Sequence, residues 1–280
     1  GLYDETDGRI VRRRYLEVDI EGAVTAIPEL VGEKQPDLLL LNDKDLAYTK
    51  IRLDERSLAT MINGLGRLDD SLARALCWGA AWDMTRDAQM RAGDFVDLVL
   101  ANVGMETDAF GLSRLPGYAS AAINVYSAPD QRDALRAKWE LGIGRLMQQA
   151  VAGSDHQLTF TRAFAATARE DSSLDYLTAL LEGSQSLDGL VIDTELRWTL
   201  VTALARAGRF GEAEIAAEAT RDQTITGSEK AAGARAAQPS KQAKEAAWQQ
   251  AMMDPTTPNE TARSIATSFH RAGQEDLLTP

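Results

Sequence analysis

The sequence predicts a mainly α-helical protein, an irregular α-α array of the HEAT or armadillo kind, preceded by a few short β-strands. Three observations lead to this prediction. Apolar residues alternate along much of the first 53 residues and recur at helical spacing from residue 54 onward. About a dozen amphipathic stretches, joined by short breaks, can bury their apolar faces only by stacking in pairs. No strict repeat period is visible, which favours an irregular solenoid over a regular repeat or a four-helix bundle.

The N-terminal segment predicts short strands. Residues 10–20 alternate, with Leu16, Val18 and Ile20 on one face, and residues 38–41 form a short apolar run that ends in a turn. Residues 46–53 alternate again and predict a further strand. About four short strands are too few for an independent sheet with both faces covered. We therefore interpret this segment as the end of a β domain whose earlier strands are not in the chain.

Aspartate residues mark the first helix starts. Asp54 precedes the first helical stretch and can accept hydrogen bonds from the free amides of its first turn. Asp69 or Asp70 has the same position before the next helix. Pro116 and Gly117 predict a break between two later helices.

Two further helix starts carry a proline in the first turn. Residues 127–130 (SAPD) and 257–260 (TPNE) have the pattern of a capping box. Asp193 begins another helix, and Gly208 is expected to end it.

Composition excludes several classes of function. With 42 acidic and 30 basic residues the net charge is −12, which argues against nucleic-acid binding. No apolar run reaches the roughly 18 residues that a membrane span requires. The single cysteine, Cys77, cannot form an internal disulfide, which predicts a reducing, cytoplasmic location.

The sequence offers no catalytic, cofactor-binding or metal-ligating set of residues. His156 and His270 are far apart, neither belongs to an H-E-x-x-H helix, and no Walker or G-x-S-x-G motif occurs. Cys77 lies beside Trp78 in an apolar stretch, so a buried, inert thiol is expected. Clustered carboxylates lie at turns or helix starts, where capping accounts for them.

Three long strings carry a family resemblance: LLLLNDKDLAYTKIRLDERSL (residues 38–58), LARALCWGAAWDMTRDAQM (72–90) and LDGLVIDTELRWTLVTALARAG (187–208). Together they closely resemble the C-terminal region of zinc metallo-aminopeptidases of the aminopeptidase N family, actinobacterial type. The resemblance implies that residues 1–53 are the last strands of a β-sandwich and that residues 54–280 are a helical superhelix domain, truncated at its C-terminal end.

The resemblance also implies a role. The family's zinc-binding helix and its G-x-M-E-N loop are expected upstream, because neither occurs here; residues 103–107 (VGMET) match that loop only superficially. This region would then lean over the catalytic domain and close the substrate chamber. The implied partners are peptide substrates and the upstream catalytic and β-sandwich domains of the same polypeptide, and zinc would be bound upstream.

Arg162, Arg197 and Trp198 are the candidate residues for the concave, chamber-facing surface. The alternative is structural: Arg197 could pair with Asp193 or Glu195, and Trp198 could fill the core.

Two competing functions remain open at this point. The chain could be a free-standing α-solenoid that binds a protein along its groove, or the fragment could itself be a zinc-dependent enzyme.

Overall fold

The computed structural model describes residues 1–278 and divides into two compact units, Gly1–Trp139 and Glu140–Pro280. The described part is mainly helical, with twelve α-helices after a small N-terminal sheet, so the predicted fold class is confirmed. No helix in residues 1–278 is long and apolar enough to cross a membrane.

The sheet has three antiparallel strands in the order β2-β1-β3. The strands are β1 (Leu2–Thr6), β2 (Arg9–Arg14) and β3 (Leu38–Leu39). Asp7 and Gly8 join β1 to β2 and both have positive φ angles, 51° and 78°, as a type I′ hairpin turn requires. Tyr3 and Leu38 are buried and anchor the sheet in the first unit.

Two strand predictions are wrong. Residues 15–20 and 46–53 are not strands, although both alternate. Ile51 and Leu53, on one of the two alternating faces, are buried, while Leu46 and Tyr48, on the other face, are exposed. Alternation reports which side chains face inward, but a strand also needs a neighbouring backbone to complete its hydrogen bonds, and sequence alone does not supply one.

The first unit contains four helices and the start of a fifth. They are α1 (Glu55–Gly64), α2 (Ser71–Arg86), α3 (Ala92–Asn102), α4 (Ala109–Ala121) and α5 (Arg132–Gln149), of which α5 continues into the second unit. Asp54 accepts from the backbone amides of Arg56 and Ser57, as predicted. Asp70, not Asp69, caps α2.

The predicted break at Pro116 is wrong. Helix α4 continues through Pro116 and passes into a π-helical turn, Ala122–Tyr126. Leu115, Pro116 and Ala119 are buried, and this packing offsets the hydrogen bond that proline cannot donate.

The two predicted capping boxes are also wrong, although helices do begin there. The N-cap positions belong to Ala128 and Pro258, and neither makes a side-chain cap hydrogen bond. The hydroxyl of Ser127 donates instead to the Ile123 carbonyl, and that of Thr257 to the Gln250 carbonyl. Each hydroxyl donates to a carbonyl oxygen of the preceding helical turn, so it is not available to cap the next helix.

The second unit is built around one helix of small residues. Its helices are α6 (Asp155–Thr167), α7 (Asp171–Glu182), α8 (Thr194–Arg206), α9 (Glu212–Arg221), α10 (Ile225–Ala237), α11 (Lys241–Trp248) and α12 (Asn259–Phe269). Helix α10 packs against α8, α9, α11 and α12. A Cβ atom on Gly233 would lie 2.6 Å from the Ser264 Oγ atom of α12. The absence of a side chain at Gly233 therefore permits the close approach of these two helices.

Candidate functional site

One concave surface in the second unit is a groove of about 770 Å³. It lies along α7, α8, α9 and the segment 183–193 that joins α7 to α8. Its apolar lining residues are Leu180, Leu181, Leu187, Leu190, Ile192, Val201 and Phe210. Its charged lining residues are Glu182, Arg197, Glu214, Glu218 and Arg221. An apolar groove with a few charged groups is the usual form of a ligand site.

One wall of the groove is held in place by the buried side chain of Gln157. Its Nε2 atom donates to the Asp188 carbonyl at 2.8 Å, and its Oε1 atom accepts from the Gly153 amide at 2.8 Å. Gly189 has a φ of +73°, and a Cβ atom there would lie 2.4 Å from the Gly153 nitrogen. These contacts fix the segment that carries Leu187, Leu190 and Ile192 before any ligand binds.

Arg197 lies in this groove and makes a bidentate ion pair. Its Nε and Nη2 atoms donate to the two carboxylate oxygens of Glu218 at 2.7 and 2.6 Å, and Nη1 donates to the Leu181 carbonyl at 3.1 Å. The hydrogen bonds and charge of Glu218 raise the pKa of Arg197, although burial opposes this shift. The ion pair joins α8 to α9, and the partner is neither of the two acidic residues considered in the sequence analysis.

Trp198 lies on another side of α8. Its side chain is buried, and Nε1 donates to the Asp222 carboxylate at 2.8 Å. Hydrogen bonds from Thr224 and then Trp198 lower the pKa of Asp222. Trp198 lines a second, smaller cavity instead of the groove.

Arg162 is exposed on α6 and lines neither concave surface. The three candidate residues are therefore not brought together in one site. Whether any of them contacts a substrate stays a prediction.

The residues that sequence reasoning missed are Gln157, Gly189 and Glu218. A glycine between Asp188 and Leu190 was a visible turn signal. Nothing local marks Gln157 or Glu218, because both act on residues more than 20 positions away.

Residues 103–107 resemble an aminopeptidase loop superficially. In the first unit the buried members of this segment are Val103 and Glu106, whereas Met105 is exposed. The Glu106 carboxylate accepts from the Arg74 guanidinium at 3.1 Å and from the Trp78 indole at 2.8 Å. It also accepts from the backbone amides of Thr107 and Asp108. This arrangement accounts for Glu106 without a bound substrate.

The His, Cys, Asp and Glu side chains of residues 1–278 are not arranged as a zinc site. Within residues 1–278 no three His, Cys, Asp or Glu side chains are grouped so that they could hold a metal ion. His156 packs edge-on against Phe160, and His270 is exposed. Burial raises the pKa of the Cys77 thiol to about 12, which keeps it protonated and unreactive near neutral pH. We therefore derive no metal-dependent step from these residues.

Comparison with known proteins matches residues 38–280 to the family model described as the ERAP1-like C-terminal domain. The chain belongs to this family. It is also 47% identical over 279 residues to aminopeptidase N of Streptomyces lividans, an alignment that covers 99% of this chain and 33% of that protein. The resemblance stated from the sequence is thus confirmed. The chain spans about a third of the length of this relative.

Proposed function

We propose that this chain is the non-catalytic C-terminal segment of a zinc aminopeptidase, which removes N-terminal residues from peptides. In this proposal the segment closes over a catalytic domain in the same polypeptide and shapes the chamber that receives the peptide. Residues 1–53 complete a β-sandwich, residues 54–280 form the helical domain, zinc is held upstream, and the enzyme is cytoplasmic. The identity of 47% along nearly the entire chain is the observation that supports this proposal most strongly.

The groove beside α8 supports the chamber role. It combines apolar side chains with a preformed wall, which suits an extended peptide whose side chains vary. Excluding the paired Arg197 and Glu218, the remaining charged lining residues are Glu182, Glu214 and Arg221, so the groove carries a small excess of negative charge. We expect it to contact apolar and cationic side chains of the peptide.

A chimera tests the role directly. This chain replaces the matching third of the S. lividans aminopeptidase N, and activity is measured on an aminoacyl anilide and on a peptide of about ten residues. Leu190 and Ile192 line the groove, so L190N/I192N should raise the KM for the peptide about tenfold, equivalent to roughly 1.4 kcal/mol of lost apolar contact. In this proposal the anilide, which carries a single amino-acid residue, does not contact the groove and should be hydrolysed unchanged.

Val191 provides the matched control. It lies between the two groove residues, is 75% exposed and does not line the groove, so V191N should leave both activities unchanged. Equal effects of V191N and L190N/I192N on the peptide KM would refute the chamber role of the groove. A folded, zinc-loaded chimera that hydrolyses neither substrate would instead favour a free-standing interaction module.

A further inference from the structure

A second cavity, of about 300 Å³, lies on the side of α8 that carries Trp198. It is bounded by α8, α10 and α12 and is separate from the groove occupied by Arg197. Three basic side chains line it, Arg206 from α8, Lys230 from α10 and Arg271 just beyond α12. Its size is at the lower end of the range for small-molecule sites.

The charge of this cavity is opposite to that of the chain. The sequence has a net charge of −12, yet the cavity is lined by three cations and by no carboxylate. Three acidic residues lie beyond its lining: Glu195, whose carboxylate is 3.1 Å from the Lys230 ammonium, Asp222, which accepts from the Trp198 indole, and Glu140, whose charge acts on Arg206. None of them lines the cavity, so the side chains that a ligand would meet are basic or neutral.

Both guanidinium groups of the cavity make their hydrogen bonds within residues 1–278 through some of their nitrogens and not through others. Arg206 donates through its two Nη atoms to carbonyls at the end of α6, while its Nε atom is left over. Arg271 donates to Ser268 through Nε and Nη2 but not through Nη1. Thr202 also lines the cavity, and its hydroxyl is a further possible donor. The guanidinium nitrogens only donate, and the Thr202 hydroxyl can donate as well as accept, so a ligand with several acceptor oxygens suits this lining.

Capping of helix ends explains only part of this arrangement. Arg206 and Arg271 each stabilise the C-terminal carbonyls of a helix, where cations are favoured. Burial, and then the neighbouring Arg169 and Arg271 guanidinium groups, lower the pKa of Arg206 to about 10. Mutual repulsion between these cations is unfavourable, and a bound anion would relieve it. Capping also does not explain Lys230, which projects into the same cavity from another helix.

We propose that this cavity binds a phosphate dianion, held by Arg206, Lys230 and Arg271 and by the hydroxyl of Thr202. Guanidinium groups bind phosphate oxygens through charge-assisted hydrogen bonds, and lysine adds a further point charge. The ligand is either free inorganic phosphate or the phosphate group of a small ester, and both present the same dianion.

The experiment measures binding to the 280-residue chain by titration calorimetry at constant ionic strength. The probes are inorganic phosphate, phenyl phosphate and acetate. We expect saturable 1:1 binding of phosphate and no competition by equimolar acetate, since a monocarboxylate carries half the charge. Tighter binding of phenyl phosphate would identify an ester as the preferred ligand, and equal binding would identify free phosphate.

Variants assign the binding to this cavity. R271Q and K230Q should each weaken phosphate binding about tenfold, by about 1.4 kcal/mol, because each removes a charge that contacts the dianion. K241Q is the matched control, since Lys241 is exposed, lies on α11 and does not line the cavity; it should change the affinity less than twofold. T202V tests the same site without a change in charge and should weaken binding about threefold.

Three results would overturn the proposal. They are the absence of saturable binding at millimolar phosphate, equal affinity for acetate, and affinities of K230Q and T202V that match K241Q. Circular dichroism without phosphate checks that each variant is folded. If R271Q does not fold, K230Q and T202V still decide the outcome, because neither side chain caps a helix end.

Discussion

Replacing Glu106 with glutamine should destabilise the first unit by about 3–5 kcal/mol, the usual cost of removing one partner from a buried ion pair. The Arg74 and Glu106 side chains are only 5% and 2% exposed. Glutamine keeps the size of the side chain but leaves the Arg74 charge uncompensated in the interior. It also exchanges an acceptor-only carboxylate for an amide, which cannot accept from Arg74, Trp78 and two backbone amides equally well.

Urea unfolding near pH 7, followed by tryptophan fluorescence, measures this change in the free energy of unfolding. The matched control is E260Q, because Glu260 pairs with Arg263 on α12 with side chains that are 57% and 74% exposed. An exposed pair contributes about 0–1 kcal/mol. The double variant R74M/E106M should cost less than the sum of the two single variants, since neither charge is left unpaired. If E106Q were no more destabilising than E260Q, the argument from burial would be refuted.

The same carboxylate makes a pH-dependent contribution. Burial alone would raise the pKa of Glu106, but hydrogen bonds from Arg74, Asp108 and Trp78 and the Arg74 charge lower it below its ordinary value. A lowered folded-state pKa stabilises the protein above the unfolded pKa of about 4.3, and this stabilisation is lost as the pH falls through the folded value. Wild type should therefore lose more stability than E106Q below about pH 4.3.

Three further predictions concern packing, a buried lysine and the cysteine. G233A should destabilise the second unit by about 1–3 kcal/mol, because the new Cβ atom would lie 2.6 Å from the Ser264 Oγ atom. The control is G79A, where a Cβ atom would have no atom within 4 Å, and it should stabilise α2 by up to about 1 kcal/mol. Thermal unfolding measures both changes. Burial lowers the pKa of Lys244 to about 8, so between about pH 8 and about pH 10.4 the folded state binds fewer protons than the unfolded state. Stability should therefore rise more steeply with pH in this window for wild type than for K244M, as urea titrations would show. Cys77 should resist iodoacetamide in the native protein and react in urea; labelling without denaturant, followed by mass spectrometry, would contradict its burial.

Helix starts were predictable where the signal is local. Asp54, Asp70 and Asp193 each accept from amides two or three residues ahead, as their positions in the sequence predict. Ser127 and Thr257 failed as caps because their hydroxyls are used by the preceding helix, which the capping pattern does not include. The mainly helical class follows from the spacing of apolar residues, and several helix starts follow from a capping aspartate. Which partner an individual polar side chain binds depends instead on the neighbouring helices and strands.

The contacts within the candidate site were less predictable, because the partners of its side chains lie on other helices. Sequence analysis placed the partner of Arg197 within its own helix, at Asp193 or Glu195, but the partner is Glu218 on α9. Likewise, the alternation in residues 46–53 wrongly implied a strand. Contacts between distant parts of the chain decide both cases, and a single sequence does not encode them in any local pattern.

The small residues of α10 have a practical consequence for protein engineering. Ala231, Ala234 and Ala237 are almost completely buried, and neighbouring helices pack closely on them. A larger side chain at any of these positions would have to displace a whole helix, which is a global change and not a local one. Mutant libraries that aim to alter ligand preference should therefore vary exposed groove positions and keep the codons of Ile225–Ala237 constant.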